Sequence, residues 1–250
     1  MTATGALLLV CAGALAGLLG SVVSLASVVS YPALLAAGLP PLSANVTNTV
    51  ALTFTGLGSV LGSRVELAGQ GRRVLRLGVL TALGGAAGAG LLLLTPPRAF
   101  QLAAPVLVGA AALVLFGQPA VPRLARGRRD ERSRWLRAGV FGTAVYVGYF
   151  GAAAGILMLA TLAPMLDQPL ARTNAVKNAI GGLANGTAAV GFVAFGPVRW
   201  AAAAPLAAGF LVGGWLGPAV VRRLPAGALR VLIGLCGLAV AAKLGLDTYR

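Results

Sequence analysis

Residues 7–39 read LLLVCAGALAGLLGSVVSLASVVSYPALLAAGL, thirty-three positions without a charged side chain. About 20 apolar residues cross the hydrocarbon core of a bilayer as a helix. The run is therefore a membrane segment, but it is too long for one simple span. It also carries Gly17, Gly20, the serines Ser21, Ser24, Ser27 and Ser30, and Pro32, residues that weaken or kink a helix. A broken helix or a re-entrant hairpin is the expectation. No cationic residue precedes the run, and no small-residue cleavage site leads into a polar mature chain, so it reads as a retained segment rather than a cleaved signal.

The rest of the chain follows the same pattern. Further apolar runs fall at Ala44 to Gly62, Val74 to Leu94 and Phe100 to Phe116. After a basic loop from Arg123 to Arg137 come Ala138 to Leu166, Ala175 to Phe195, Trp200 to Val221 and Ala228 to Leu244. Over 250 residues, 58% are hydrophobic and 10% charged, with a mean hydropathy of +0.89; a soluble domain carries roughly a quarter charged residues. These numbers define an all-α integral membrane protein of about eight hydrophobic segments. The net charge of +15 does not point to nucleic acid, because the cations sit between apolar runs, where they set topology and meet anionic lipid headgroups. With no His in the chain, imidazole metal sites and His relays are excluded, and no metal or cofactor is expected. Cys11 and Cys236 lie singly inside apolar runs and read as packing residues.

The runs group four and four. When the second half is laid over the first in one ungapped register, Pro40 meets Pro169, Asn45 meets Asn174, Gly62 meets Gly191, Gly84-Gly85-x-x-Gly88 meets Gly213-Gly214-x-x-Gly217, and Pro96 meets Pro225. An internal duplication is expected, with a first membrane repeat over 1–122, a basic cytoplasmic loop over 123–137 and a second repeat over 138–250. The glycine motifs have the spacing of close helix packing. If every run crosses once, Lys and Arg divide fourteen against six between the two faces. If the first run of each repeat is instead a hairpin returning to its own side, they divide sixteen against four. The positive-inside rule favours the second arrangement. It leaves three crossings per repeat, so the repeats would be inverted and both termini would lie outside the cytoplasm, a transporter architecture whose site lies where the helix breaks meet.

Polar side chains inside apolar runs either join helices or line a cavity. Ser43, Asn45, Thr47, Asn48, Thr49, Thr53 and Thr55 open the second run. Thr173, Asn174, Lys177 and Asn178 open the matching run in the other repeat, with Asn185 and Thr187 deeper. Each cluster begins a helix, where unpaired N–H groups and a positive dipole end suit an anion, and Lys177 adds a full positive charge; two broken hairpins would bring the starts of these second and sixth runs together. Helix capping by Ser43 and Thr173, with interhelical hydrogen bonding, is the competing reading residue by residue. Tyr146 and Tyr149 could line the second hairpin or anchor an interface. None of the five acids, Glu66, Asp130, Glu131, Asp167 and Asp247, lies mid-span, so a buried carboxylate relay has no carrier. A phosphate-binding loop of an ATP-driven motor is also missing.

Gly17 to Pro32 with Gly38-Leu39-Pro40 and the Asn/Thr cluster, then Gly148-Tyr149-Phe150-Gly151-Ala152-Ala153-Ala154-Gly155 and Asn174-Ala175-Val176-Lys177-Asn178, resemble the sulfite exporter TauE/SafE family over almost the whole chain. The first half matches less well, being serine-rich where the second is glycine-rich. The resemblance implies movement of a small sulfur-containing or organic anion, such as sulfite or a sulfonate, across the cytoplasmic membrane by a multi-pass protein that is not an enzyme. Carried over by position, it points to Asn174, Lys177 and Asn178 and, in the first half, to Asn45 and Asn48; Thr49 joins these as a candidate from the polar cluster. The partners expected are the anion and membrane lipids, and homo-oligomerisation is left open. The alternative is a membrane accessory or assembly protein whose polar clusters only join helices; a lipid-modifying enzyme is disfavoured by the missing His and the lack of a mid-span acid pair.

Overall fold

The computed structural model describes residues 3–117, 133–163, 166, 168–221 and 246. Among these there are ten helices and no strand: α1 (Ala3–Val23), α2 (Ala26–Ala36), α3 (Pro41–Gly62), α4 (Arg64–Leu67), α5 (Gly71–Leu94), α6 (Pro97–Gly117), α7 (Arg134–Tyr149), α8 (Ala154–Leu162), α9 (Leu170–Phe195) and α10 (Trp200–Val221). Four are long and apolar enough to cross a membrane: α1, α5, α9 and α10. The run Ala228 to Leu244 and most of the basic loop lie outside the described residues.

The first run is broken, as its glycines, serines and proline suggested, and the break falls at Ser24-Leu25 between α1 and α2. Ser24 has a φ of 68°, and the turn closes through N–H groups of Ser24 and Leu25 donated to the carbonyls of Gly20 (3.1 Å) and Leu19 (3.4 Å). The run Ala138 to Leu166 breaks in the same way at Phe150–Ala153, between α7 and α8. Ala153 there has a φ of 56°. Among the described residues Ser24 and Ala153 are the two non-glycine positions with positive φ, and the register that lays Pro40 over Pro169 lays one over the other. Pro40 and Pro169 themselves hold the extended turns that start α3 and α9.

The glycine pairs set the packing. A Cβ on Gly84 would lie 2.6 Å from the Cβ of Ala144, one on Gly85 would strike the Ala184 carbonyl, and one on Gly88 the Val145 carbonyl. On the other side Gly213 abuts Ala14, a Cβ on Gly214 would come within 2.6 Å of the Thr55 carbonyl oxygen, and Gly217 faces Ser21. Helices this close need bare backbones on one side. α5 thus packs on α7 and α9, and α10 on α1 and α3, each helix serving the opposite half of the chain.

The sequence of contacts along these seams gives the directions. Gly13 lies beside Gly209 and Gly17 beside Gly214; Gly58 lies beside Leu211 and Gly62 beside Trp215. α1, α3 and α10 therefore run parallel. Thr81 donates to the Ile180 carbonyl (2.9 Å) while Gly85 abuts Ala184 and Gly88 abuts Val145 and Tyr149, so α5, α7 and α9 form a second parallel set. α3 and α9 cross antiparallel, with Gly56 on Gly182 at the middle and Val46 by Gly196 at one end. The Arg199 N–H donates to Thr47 Oγ1 (3.0 Å) at that end, and Arg172 reaches the carbonyls of Glu66 and Ala68 at the other.

Buried polar side chains concentrate on α3. α3 buries Ser43, Asn45, Thr47, Asn48, Thr49, Thr55 and Ser59 while Phe54, Leu57 and Leu61 face outward, the distribution expected when lipid is the solvent. Phe100, Phe192 and Phe210 anchor one apolar cluster, and Met158, Leu162, Val176 and Ile180 fill another. Cys11 corrects the packing expectation: it is exposed on the outer side of α1, where an apolar thiol has no need to be buried. Cys236 lies outside the described residues.

Candidate functional site

The two breaks meet. A Cβ added to Gly155, at the start of α8, would come within 2.6 Å of the Ser24 Cβ. Beside them is a cavity of about 90 Å³ walled by Gly20, Ser24 and Ser27 from the first break and Gly151, Ala154 and Gly155 from the second. Thr55, Gly56 and Ser59 of α3 and Lys177, Asn178, Gly182 and Asn185 of α9 close it. At about 10–15 Å³ per water on this measure, it has room for several waters or one small polyatomic ion.

Lys177 is 3% exposed, and its ammonium donates to Ser24 Oγ. Among the described residues it has no carboxylate partner. A buried cation without a counter-charge is costly, and two of the three ammonium protons still need acceptors. The cavity is where such an acceptor could sit.

The neighbouring polar groups are aligned as donors. Ser24 accepts from Lys177, and Ser27 accepts from Asn48 Nδ2 (3.1 Å), which leaves each hydroxyl proton to point elsewhere. Thr55 Oγ1 is buried on the cavity wall with no hydrogen-bond partner. The first turns of α2 and α8 also begin at this cavity, bringing the positive ends of their helix dipoles with them. Among the described residues that line the cavity there are one ammonium and several hydroxyls and no acidic side chain, a set chemically compatible with an oxyanion. Among the described residues no group of acids or thiols is set to hold a metal ion.

The six candidates from sequence divide between the wall and its supports. Lys177 and Asn178 line the cavity. Asn48 supports it through Ser27. Asn174 and Asn178 both donate to the Ser21 carbonyl (2.8 and 3.1 Å), holding the end of α1. Asn45 donates to the Tyr149 carbonyl (2.9 Å), holding the end of α7 in the corresponding way. Thr49 bonds back to the Asn45 carbonyl of its own helix (3.0 Å). Contrary to expectation, the starts of α3 and α9 are not brought together: the antiparallel crossing sends them to opposite ends, and the helix tips at the cavity are those of α2 and α8. Tyr146 and Tyr149 do not line it; Tyr146 Oη donates to the Ala152 carbonyl (3.0 Å), and the Tyr149 ring packs edge-on to Phe100.

Ser24 and Ser27 were visible as members of a serine-rich run, and Thr55 as the tail of a polar cluster. Their convergence was not, because it depends on where the breaks fall. Gly155 leaves room for Ser24 and was legible only as part of a glycine-rich stretch.

Fold and site define a multi-pass helical membrane protein with two interrupted segments around a small electropositive cavity. The chain belongs to the sulfite exporter TauE/SafE family, whose model matches residues 9–244. Comparison with curated proteins and with solved structures finds no match. The family is one of membrane transporters, and membership implies transport of sulfur-containing anions.

Proposed function

We propose that the protein is a secondary transporter that moves a small, singly charged sulfur oxyanion, sulfite in its protonated form or a short sulfonate, across the cytoplasmic membrane. The observation that carries this reading is Lys177, a buried ammonium without a carboxylate, facing the cavity where the two breaks touch. One cation balances one negative charge; a dianion would enter half uncompensated in a low-dielectric setting. In this reading Lys177 and Asn178 contact the anion, Asn48 acts through Ser27, Asn45 and Asn174 hold the breaks in place, and Thr49 bonds only within α3.

The parallel and antiparallel seams support inverted repeats. The first break would return the chain to its starting side, and Arg64, Arg72, Arg73 and Arg76 would share the cytoplasmic face with Arg134, Arg137 and Arg172. Rocking of one helix set against the other about the Gly56–Gly182 crossing would give alternating access. A C-terminal reporter located in the cytoplasm would overturn this topology.

Uptake into proteoliposomes tests the function with sulfite, methanesulfonate, sulfate, phosphate and chloride. Methanesulfonate is an obligate monoanion close in size to the dianion sulfate. The expected result is uptake of sulfite and methanesulfonate with sulfate excluded. If none of the five moves and none raises the melting temperature, the protein is a membrane accessory factor and its polar side chains only join helices.

A further inference from the structure

Ser24 stands in the left-handed region at φ 68°, where a Cβ is penalised and Gly is the cheap choice. Glycines fill this kind of position elsewhere in the chain, at Gly38, Gly69 and Gly151. A serine here costs backbone energy, and its hydroxyl is the acceptor for Lys177 from the other half of the chain. The second break supplies an internal control. Ala153, the corresponding residue of the second half, also takes a positive φ (56°) but has no hydroxyl. The residue corresponding to Lys177 is Asn48, which bonds to Ser27 of its own half instead. The hydroxyl at the corner therefore occurs where the cation is. Space has been kept for it as well: a Cβ on Gly155 would lie 2.7 Å from Ser24 Oγ.

We propose that Ser24 is a positioning residue of the anion site, holding the Lys177 ammonium at the cavity wall so that the flexible lysine stem is already oriented when the anion arrives. This rests on the reading of Lys177 as counter-charge. A lysine stem has four rotatable carbons, and tethering its tip before binding removes the cost of ordering it on binding.

Ser24→Gly and Ser24→Ala test the assignment through two readouts, methanesulfonate uptake kinetics in proteoliposomes and melting temperature in detergent. Ser24→Gly should melt at or above the wild-type temperature, because the backbone penalty is relieved, while its KM rises about tenfold with Vmax less affected. Ser24→Ala should show the same rise in KM without the gain in melting temperature. Wild-type KM in both variants overturns the proposal, and so does a loss of activity that only tracks a loss of stability, since that would make the serine purely structural. If the wild type takes up methanesulfonate and Lys177→Ala does not, the reading of the site stands whatever Ser24 does. If the wild type takes up neither methanesulfonate nor sulfite, that reading falls and this assignment falls with it.

Discussion

The two breaks share a left-handed corner, at Ser24 and at Ala153, and have opposite chemistry. At the first, Ser24 bonds to Lys177, and the carbonyl of Ser21 takes two amide donors, Asn174 and Asn178. At the second, the corner residue is Ala153, one amide from Asn45 holds the Tyr149 carbonyl, and rings surround it: Tyr31 packs edge-on to Phe150 at 5.7 Å, and Phe100 contacts both Phe150 and Tyr149. One break is polar and charged, the other wedged by aromatics. On the proposed reading one interruption binds and the other supports, and the charge lies at the corner that carries a hydroxyl, Ser24, and not at Ala153.

The sharpest test of this division is to remove its charge. Lys177→Ala should lower anion uptake by roughly 100-fold, the equivalent of about 3 kcal/mol of charge-assisted pairing, while expression and melting temperature hold or rise because a buried unpaired cation has gone. Asn48→Ala, at the corresponding position, should lower uptake by only several-fold; equal losses would erase the distinction between the halves. Next in size is Phe150→Ala at the aromatic break, expected to destabilise the protein by about 3 kcal/mol through the void left among Tyr31, Phe100 and Tyr149, read as a drop in melting temperature. The amide clamps should differ as well. Asn45→Ala strips the Tyr149 carbonyl of its one side-chain donor and should cost about 2 kcal/mol, whereas Asn174→Ala leaves Asn178 on the Ser21 carbonyl and should cost about 1 kcal/mol. A larger loss for Asn174→Ala would reverse the assignment of which clamp is redundant. Smallest is Thr49→Ala, whose hydroxyl bonds only to its own helix; its stability should change by less than about 0.5 kcal/mol.

Much of the fold was legible because lipid imposes a simple rule. A charge-free run long enough to cross the hydrocarbon must be helical, since nothing there pairs with an open backbone. The run Trp200 to Val221 coincides with α10, and Ala44 to Gly62 falls inside α3 and ends with it. The over-long runs announced their interruptions, and the register that aligned Pro40 with Pro169 also relates Ser24 to Ala153. The exact corners were not legible, since neither Ser24 nor Ala153 is a glycine or a proline, the residues that mark such a corner in a sequence. Nor could the clusters at Asn45 and Asn174 show which way their amides point: a helix face acquires its meaning from its neighbour, and the neighbour was set by Gly84, Gly85, Gly213 and Gly214 pressing α5 and α10 across to the opposite halves. Cys11 was misplaced for a related reason, because an apolar run does not say which side of it meets lipid.

A cavity that holds a monoanion against Lys177 should lose its affinity with that one ammonium. Calorimetric titration of methanesulfonate into the purified full-length protein, beside the Lys177→Gln variant, addresses this most directly. Saturable binding to the wild type is expected, weakened at least about tenfold by Lys177→Gln, with sulfate binding poorly to both. Equal affinity in the two proteins would contradict it.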